Sequence, residues 1–510
     1  MFVAHSNDYR WFFDNYITYK KKIRESHNIN ATLGLVSESN KYETLYGSRI
    51  NVPPGSNLNF NLDLGNSSDG TEESGGGFSE TRKLYSYIAR FNYDYDYKYI
   101  FNASYRMDAA NFFQDKFRYG NFYAVSAGWF LTRENFMTES FFDKLKLRIS
   151  YGELGNAQIP SFNVVRFNQG FPYPFGSGQN TQQGGTVTAT VQEDLSWENT
   201  NEYNFGLEFS LLNFRLNGEI DLYKRINNNA ILPLQLPSTF GFDPFLSHVG
   251  KITNKGVEIS LNWTDKINKN LSYNISTNAA YNQNVLSEIS NQFFTNQIGG
   301  SINNGQYTKR VSLGQPLGSF FLYEVNGIDD RGQFVYKDIN NDGEINEEDR
   351  RFFGSFIPSF TSALNLKVTY KKFDFNLDTY GSFGNKVYNG KKAQRFGNEN
   401  MEQYVFNNRW TTARPSNTTP RASNNVPLSS NYFLESGDFF RINNITLGYS
   451  FNSAKLKKIR LYITAKNPLI FKRFSGFTPE LAGDPLGLAG IELDAYPTLS
   501  SYFLGFNILF

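Results

Sequence analysis

Along most of this chain apolar and polar residues alternate with period two. Leu145, Leu147, Ile149 and Tyr151 alternate with Lys146, Arg148, Ser150 and Gly152. Tyr203, Phe205, Leu207 and Phe209 alternate with Asn204, Gly206, Glu208 and Ser210. The same rhythm recurs at Val257–Trp263, Phe373–Gly381 and Ile445–Phe451. Successive side chains of a strand point to opposite faces, so each run has one apolar face and one face of Lys, Arg, Asp, Glu and Asn. Many runs approach the roughly 9–11 residues that a tilted membrane strand needs, against about 5–6 for an ordinary strand. In the final stretch, Ser500–Phe510, the residues Tyr502, Leu504, Phe506, Ile508 and Phe510 share one face. An exposed aromatic edge is an aggregation site in a soluble protein. In a closed membrane barrel that edge is paired and the apolar face meets lipid. The last strand of a soluble sandwich is the alternative for this stretch alone.

The pattern predicts strands at 8–20, 27–38, 82–94, 96–107, 121–132, 143–155, 199–211, 214–226, 252–264, 270–286, 303–313, 317–328, 359–370, 372–386, 437–451, 457–467 and 500–510. The 303–328 pair is included because it preserves the order of connections. Short connections (DYDY, LLNF, TDKINKN, YKK, NSAKLKK) alternate with long ones at 39–81, 156–198, 227–251, 328–358, 387–436 and 468–499. Short periplasmic turns alternating with long extracellular loops are a signature of outer-membrane barrels. The expected fold class is therefore all-β, an antiparallel transmembrane β-barrel. A complete single-chain barrel has an even strand number, and this list holds about 17, so the chain is expected to begin mid-barrel.

Composition narrows the choice. Aromatic residues reach 17% of the 510 residues, with 49 Phe and 32 Tyr, while hydrophobic residues total only 40%. Aromatic girdles mark barrel interfaces. No run approaches the roughly 18 apolar residues of a membrane helix. With 50 basic and 48 acidic residues spread along the chain, nothing favours a nucleic-acid partner. The absence of cysteine excludes disulfides and thiolate metal sites. The first residues, MFVAHSNDYRWFFDNY, show no signal peptide, which for an exported protein again implies a missing beginning.

Candidate chemistry is sparse. Asp338, Asn340, Asp342, Gly343, Glu344, Asn346 and Asp349 follow a calcium-loop template in which alternating oxygen side chains converge on one cation and the glycine permits a sharp turn. Asp349 stands where the template has Glu, and no flanking helices are evident. The two readings are a structural Ca²⁺ brace and an Asx-rich loop closing on its own backbone. No other cofactor is expected. His5, His27 and His248 make no ligand spacing, and no nucleophile motif is present, so an enzyme is not expected. Of the three, only His248 lies near a loop of interest, and it reads as ordinary surface. Phe171, Tyr173 and Phe175 in one long loop, and Tyr404, Phe406 and Trp410 in another, could serve as sugar platforms or could pack the loops or a lid protein.

Beyond the pattern, the wording is familiar. RYGNFYAVSAGW (118–129), LKLRISYGELGN (145–156), NTNEYNFGLEFSLL (199–212) and GKITNKGVEISL (250–261) come in order. GQPLGSFF (314–321), DINNDGEINEEDR (338–350), GSFIPSFTSALNL (354–366), SGDFFRINNITLGYSF (436–451) and LYITAKNPLIF (461–471) follow them. Over nearly its whole length the chain resembles the C-terminal half of SusC/RagA-like TonB-dependent outer-membrane transporters. The resemblance implies residues 1–510 as the C-terminal part of a receptor barrel of about 22 strands, with the plug domain absent from the chain. It also implies a location in the cell outer membrane, contact with lipid, and import of an oligosaccharide or peptide. The partners implied are a SusD-like surface lipoprotein and TonB, the latter through the missing N-terminal part. The family's Arg-x-Asp-Gly-Ser-Ser-x-Phe pattern is altered here to YRMDAANFF (105–113), which keeps Arg106, Asp108 and Phe112 or Phe113 but not the Gly-Ser. The alternative function is a passive porin of about 16 strands.

Overall fold

The computed structural model describes residues 2–49, 73–78, 81–157, 166–175, 180–189, 195–234, 236, 239, 245–290, 294, 298–302, 305–395, 400–423, 425–451, 457–493 and 495–509. Its long strands are β1 (Phe2–Ile23), β2 (His27–Ser48), β3 (Arg82–Tyr95), β4 (Tyr99–Ala110), β5 (Tyr119–Phe130), β6 (Phe142–Asn156), β7 (Glu198–Leu211) and β8 (Leu216–Leu234). They continue as β9 (Phe245–Asn268), β10 (Leu271–Ile289), β11 (Phe360–Tyr370), β12 (Phe373–Phe383), β13 (Phe439–Phe451), β14 (Lys458–Lys472) and β15 (Ser501–Leu509). Hydrogen-bonded neighbours are consecutive strands of this series, and the pairs of known register are antiparallel. That order needs no crossovers, so the short connections can be tight turns. Arg24–Glu25 and Asp96–Tyr97 take left-handed backbone angles, and the Asp94 carboxylate accepts the Tyr97 N–H at 3.0 Å.

The chain divides into two compact units. The first comprises Met1–Gly128, Ser150–Asn201 and Asn228–His248. It contains β1 to β4 and a buried cluster of Ala110, Phe112, Phe113, Phe122, Leu195 and Trp197. Phe113 and Phe122 lie 5.2 and 5.5 Å, centroid to centroid, from the Trp197 ring. Here β1 and β2 pair over 22 residues each, about 70 Å at strand rise, far more than a bilayer requires.

The second unit comprises Trp129–Ile149, Glu202–Asn227 and Val249–Phe510, and contains β10 to β15. Register aligns its apolar residues into rows across strands: Phe375, Leu447, Ile463 and Leu504 are successive partners. Leu377, Ile445, Ala465 and Tyr502 form another row. Leu504 is 83% exposed, so the row faces outward instead of into a core. The alternate face is polar and bonded, with Thr446 and Thr464 hydroxyls 2.8 Å apart and Arg460 Nε donating to Asp374 at 2.9 Å.

One expectation fails. The stretches 303–313 and 317–328 are not strands of the long series. They contribute only short pieces, Tyr307–Arg310, Ser319–Tyr323 and Val325–Ile328, to small sheets inside a connection. Removing two strands leaves the short-long order intact, so that order could not decide the question. Burial does: Ser319–Tyr323 is buried on both faces, as a packed core strand is and a half-lipid strand is not.

Candidate functional site

Within the second unit, the connections after β10, β12 and β14 fold together into a platform. Ile302, Phe320 and Leu322 from the first, Tyr388, Ala393 and Phe433 from the second, and Ile491 and Leu493 from the third share one buried cluster. Backbone pairing knits it further: Lys386–Asn389 lies antiparallel to Leu434–Ser436 and parallel to Ile491–Glu492. Two buried cations tie the pieces. Lys309, only 2% exposed, donates from Nζ to the carbonyls of Pro485 (3.1 Å), Gly487 (3.0 Å) and Ala489 (2.5 Å). Burial pushes its pKa down to about 7, and Asp484 opposes that shift. Arg350 donates to the Tyr307 carbonyl and to Ser429 Oγ (2.7 Å), and pairs with Glu347 at 2.9 Å. Burial raises the Tyr336 phenol to about 12 and raises Tyr388 as well, so both stay neutral.

Glu347 opens the last turn of the Asp338–Asp349 loop, whose oxygens are occupied by the loop's own backbone. Asp338 accepts from the N–H groups of Asn341 (2.6 Å) and Gly343 (2.8 Å). Asn340 accepts from Asp342 N (3.1 Å), Asp342 from Glu344 N (2.8 Å) and Asn346 from Glu348 N (2.8 Å). Buried Asp349 accepts from Ile339 N (2.7 Å) and Asn346 N (2.9 Å). The Glu344 N–H and the Asn340 amide hold the Asp342 carboxyl below its ordinary pKa. Gly343, at φ +88°, makes the turn. Glu344 is exposed. Among the described residues no group of three or more His, Cys, Asp or Glu converges as a metal site. This is the geometry of a loop braced by Asx turns.

The aromatic candidates separate. Tyr404 and Phe406 are 67% and 54% exposed, whereas Trp410 packs on Gly332, where a Cβ would fall 2.6 Å from its ring. The side chains of Phe171, Tyr173 and Phe175 lie outside the described residues. In the first unit, His248 is not simple surface: its Nε2 accepts the Ser196 N–H (3.0 Å) and its Nδ1 donates to the Asn229 carbonyl (3.1 Å). That tautomer pins the segment carrying Leu195 and Trp197. In YRMDAANFF, Arg106 Nε donates to Asp108 at 2.7 Å and its guanidinium to Ser86.

The polar face in the second unit carries a charge ladder. Lys144 and Lys146 flank Glu208 at 2.7 and 2.9 Å, and Arg148 pairs with Asp221 at 2.8 Å and with Glu219. Such a wall presents charge and amides to a water-filled space while its reverse side stays apolar. Neither Lys309 nor the basic residues of the 384–438 connection was picked out from sequence. A buried Lys has no sequence signature. The density of Lys391, Lys392, Arg395, Arg409, Arg414 and Arg421 was a legible signal.

Comparison with known proteins agrees with this geometry. The family described as "TonB dependent receptor-like, beta-barrel" matches residues 3–468. The TonB-dependent receptor SusC of Bacteroides thetaiotaomicron is 28% identical over 457 residues, covering 85% of this chain and 44% of that one. The TonB-dependent receptor P39 of Formosa agariphila is 28% identical over 560 residues, covering 98% and 52%. The chain thus spans about half the length of the curated relatives it matches. Among solved structures, that of the RagAB peptide transporter superposes with a TM-score of 0.84 at 22% identity, over 99% of this chain and 56% of that one.

Proposed function

Because the chain belongs to the TonB dependent receptor-like β-barrel family and is a protein of the outer membrane, we propose that it serves in nutrient import. It would supply barrel wall and substrate-receiving loops to a receptor energised through TonB. The observation that carries this reading is the pairing of outward apolar rows with a platform of long connections that has its own buried core. A wall needs the first, and a rigid receiving surface needs the second. The imported molecule is an oligosaccharide or peptide, and a SusD-like lipoprotein is the proposed lid. Similarity to SusC and to the RagAB peptide transporter supports both. Catalysis has no part in this reading. A Ca²⁺ ion bracing the Asp338–Asp349 loop is proposed as well, supported by the oxygen spacing.

Uptake of labelled oligosaccharides and peptides by cells expressing the receptor, with and without TonB, tests the proposal. Uptake that requires TonB is expected. Equal uptake without TonB would refute energised import and favour a passive pore.

A further inference from the structure

The 384–438 connection concentrates positive charge. Lys391 and Lys392 sit on the helix Gly390–Gln394, which Arg395 ends, and Arg409 ends the helix Gln403–Asn408. Arg421 is placed by its backbone N–H, held by the Gly332 carbonyl at 2.9 Å. With Glu402 these five cations line a shallow cleft that opens to solvent and encloses only about 30 Å³, room for a single carboxylate and not for a whole sugar. Five cations against one carboxylate leave an excess of four, more than the +2 of the entire chain. Glu402 is already engaged, 3.5 Å from Lys391. Lys391, Lys392 and Arg409 lean on ring faces (Phe477 at 4.7 Å, Tyr432 at 4.8 Å and Phe406 at 4.8 Å). Neither Arg395 nor Arg421 has an ion-pair partner among the described residues.

By contrast, Lys144, Lys146, Arg148 and Arg350 each have a carboxylate partner. Unpaired like charges around one cleft raise the energy of the empty fold, and a local departure of that kind marks function. Val405 and Phe433 give the cleft an apolar lining, which strengthens attraction to an anion. Guanidinium forks suit carboxylates. The walls are short helices and irregular segments without a strand edge, so an extended peptide finds no backbone to pair with. An acidic sugar needs side-chain contacts alone. Resting on the import reading above, we propose that this cleft is a receiving subsite for a uronic carboxylate of an acidic oligosaccharide.

The test is calorimetric titration of the purified protein in detergent with trigalacturonate, triglucuronate, neutral maltotriose and triglutamate. At least one uronate binds, maltotriose does not, and the paired variant Arg395→Gln/Arg421→Gln weakens uronate binding by about tenfold per guanidinium, about a hundredfold together. Arg414→Gln, on the same connection but outside the cleft, keeps wild-type affinity and controls for folding. Failure of both uronates to bind, undiminished binding by the paired variant, or triglutamate binding as tightly as the uronates would overturn the proposal. TonB-dependent uptake of neutral glycans in that event would leave the import reading standing.

Discussion

Replacing Lys309 by Met keeps most of the aliphatic stem but removes the ammonium, which lies 5.8 and 5.0 Å from the Phe320 and Phe356 ring centroids. The ammonium holds three carbonyls of the Pro485–Ala489 segment. Hydrogen bonds to a charged group contribute about 1.5–3 kcal/mol each, and desolvating the buried ammonium offsets much of their sum. A net local loss of about 2–4 kcal/mol is expected, which opens the segment about 30- to 800-fold more often. Amide hydrogen exchange reads this directly at Gly487, Gly490 and Ile491, whose N–H groups are bonded within the platform. The amides of β13 and β14 serve as an internal reference. Unchanged exchange at those three amides would show that the hydrophobic cluster alone holds the segment. The pH dependence has a definite sign. The pKa near 7 in the folded state lies below the ordinary 10.5, so the folded protein binds this proton more weakly than the unfolded chain. The cost of keeping this charge buried is nil above about pH 10.5, where the lysine is neutral in both states, and grows as pH falls toward 7. The stability gap between wild type and Lys309→Met therefore widens from pH 7 to pH 10. A constant gap would mean that the three carbonyls hold the proton as firmly as water does.

Two further outcomes follow from strand faces and from the acidic loop. Ile463→Arg places a charge in the outward row and costs about 2–4 kcal/mol in lipid. Thr464→Arg, one residue on, loses only the Thr446 hydroxyl contact, about 1 kcal/mol. Denaturant unfolding in lipid vesicles compares them, and equal losses would refute the assignment of the lipid face. Millimolar Ca²⁺ is expected to slow exchange at the Asn341, Gly343 and Glu344 amides in wild type but not in Asp342→Ala. No change with Ca²⁺ in wild type would leave a loop braced by its own hydrogen bonds.

Strands were legible wherever one face meets lipid or water and the other is bonded, because period two then survives in the sequence. The row through Leu447, Ile463 and Leu504 is such a case. The Phe320–Leu322 stretch misled because a strand buried on both faces reads as a plain apolar run, and a spare hairpin preserves the parity of connections. The acidic loop was located by its spacing, yet spacing is shared by cation loops and Asx-turn loops and cannot separate them. The basic cleft draws on residues from 391 to 421 that the chain brings together only by folding. The density of cations over 391–421 is visible in the sequence, but which of them share one cleft is not.

The platform core also dictates an order of events. Its members run from Ile302 to Leu493, so contacts close over nearly two hundred positions of chain. Loop closure of that span is slow and cannot begin before its last partner arrives. Ile491 and Leu493 belong to the connection between β14 and β15, so the platform core closes only once that connection has joined it. The platform core is thus a late-forming part of its unit, dependent on chain from three separate connections.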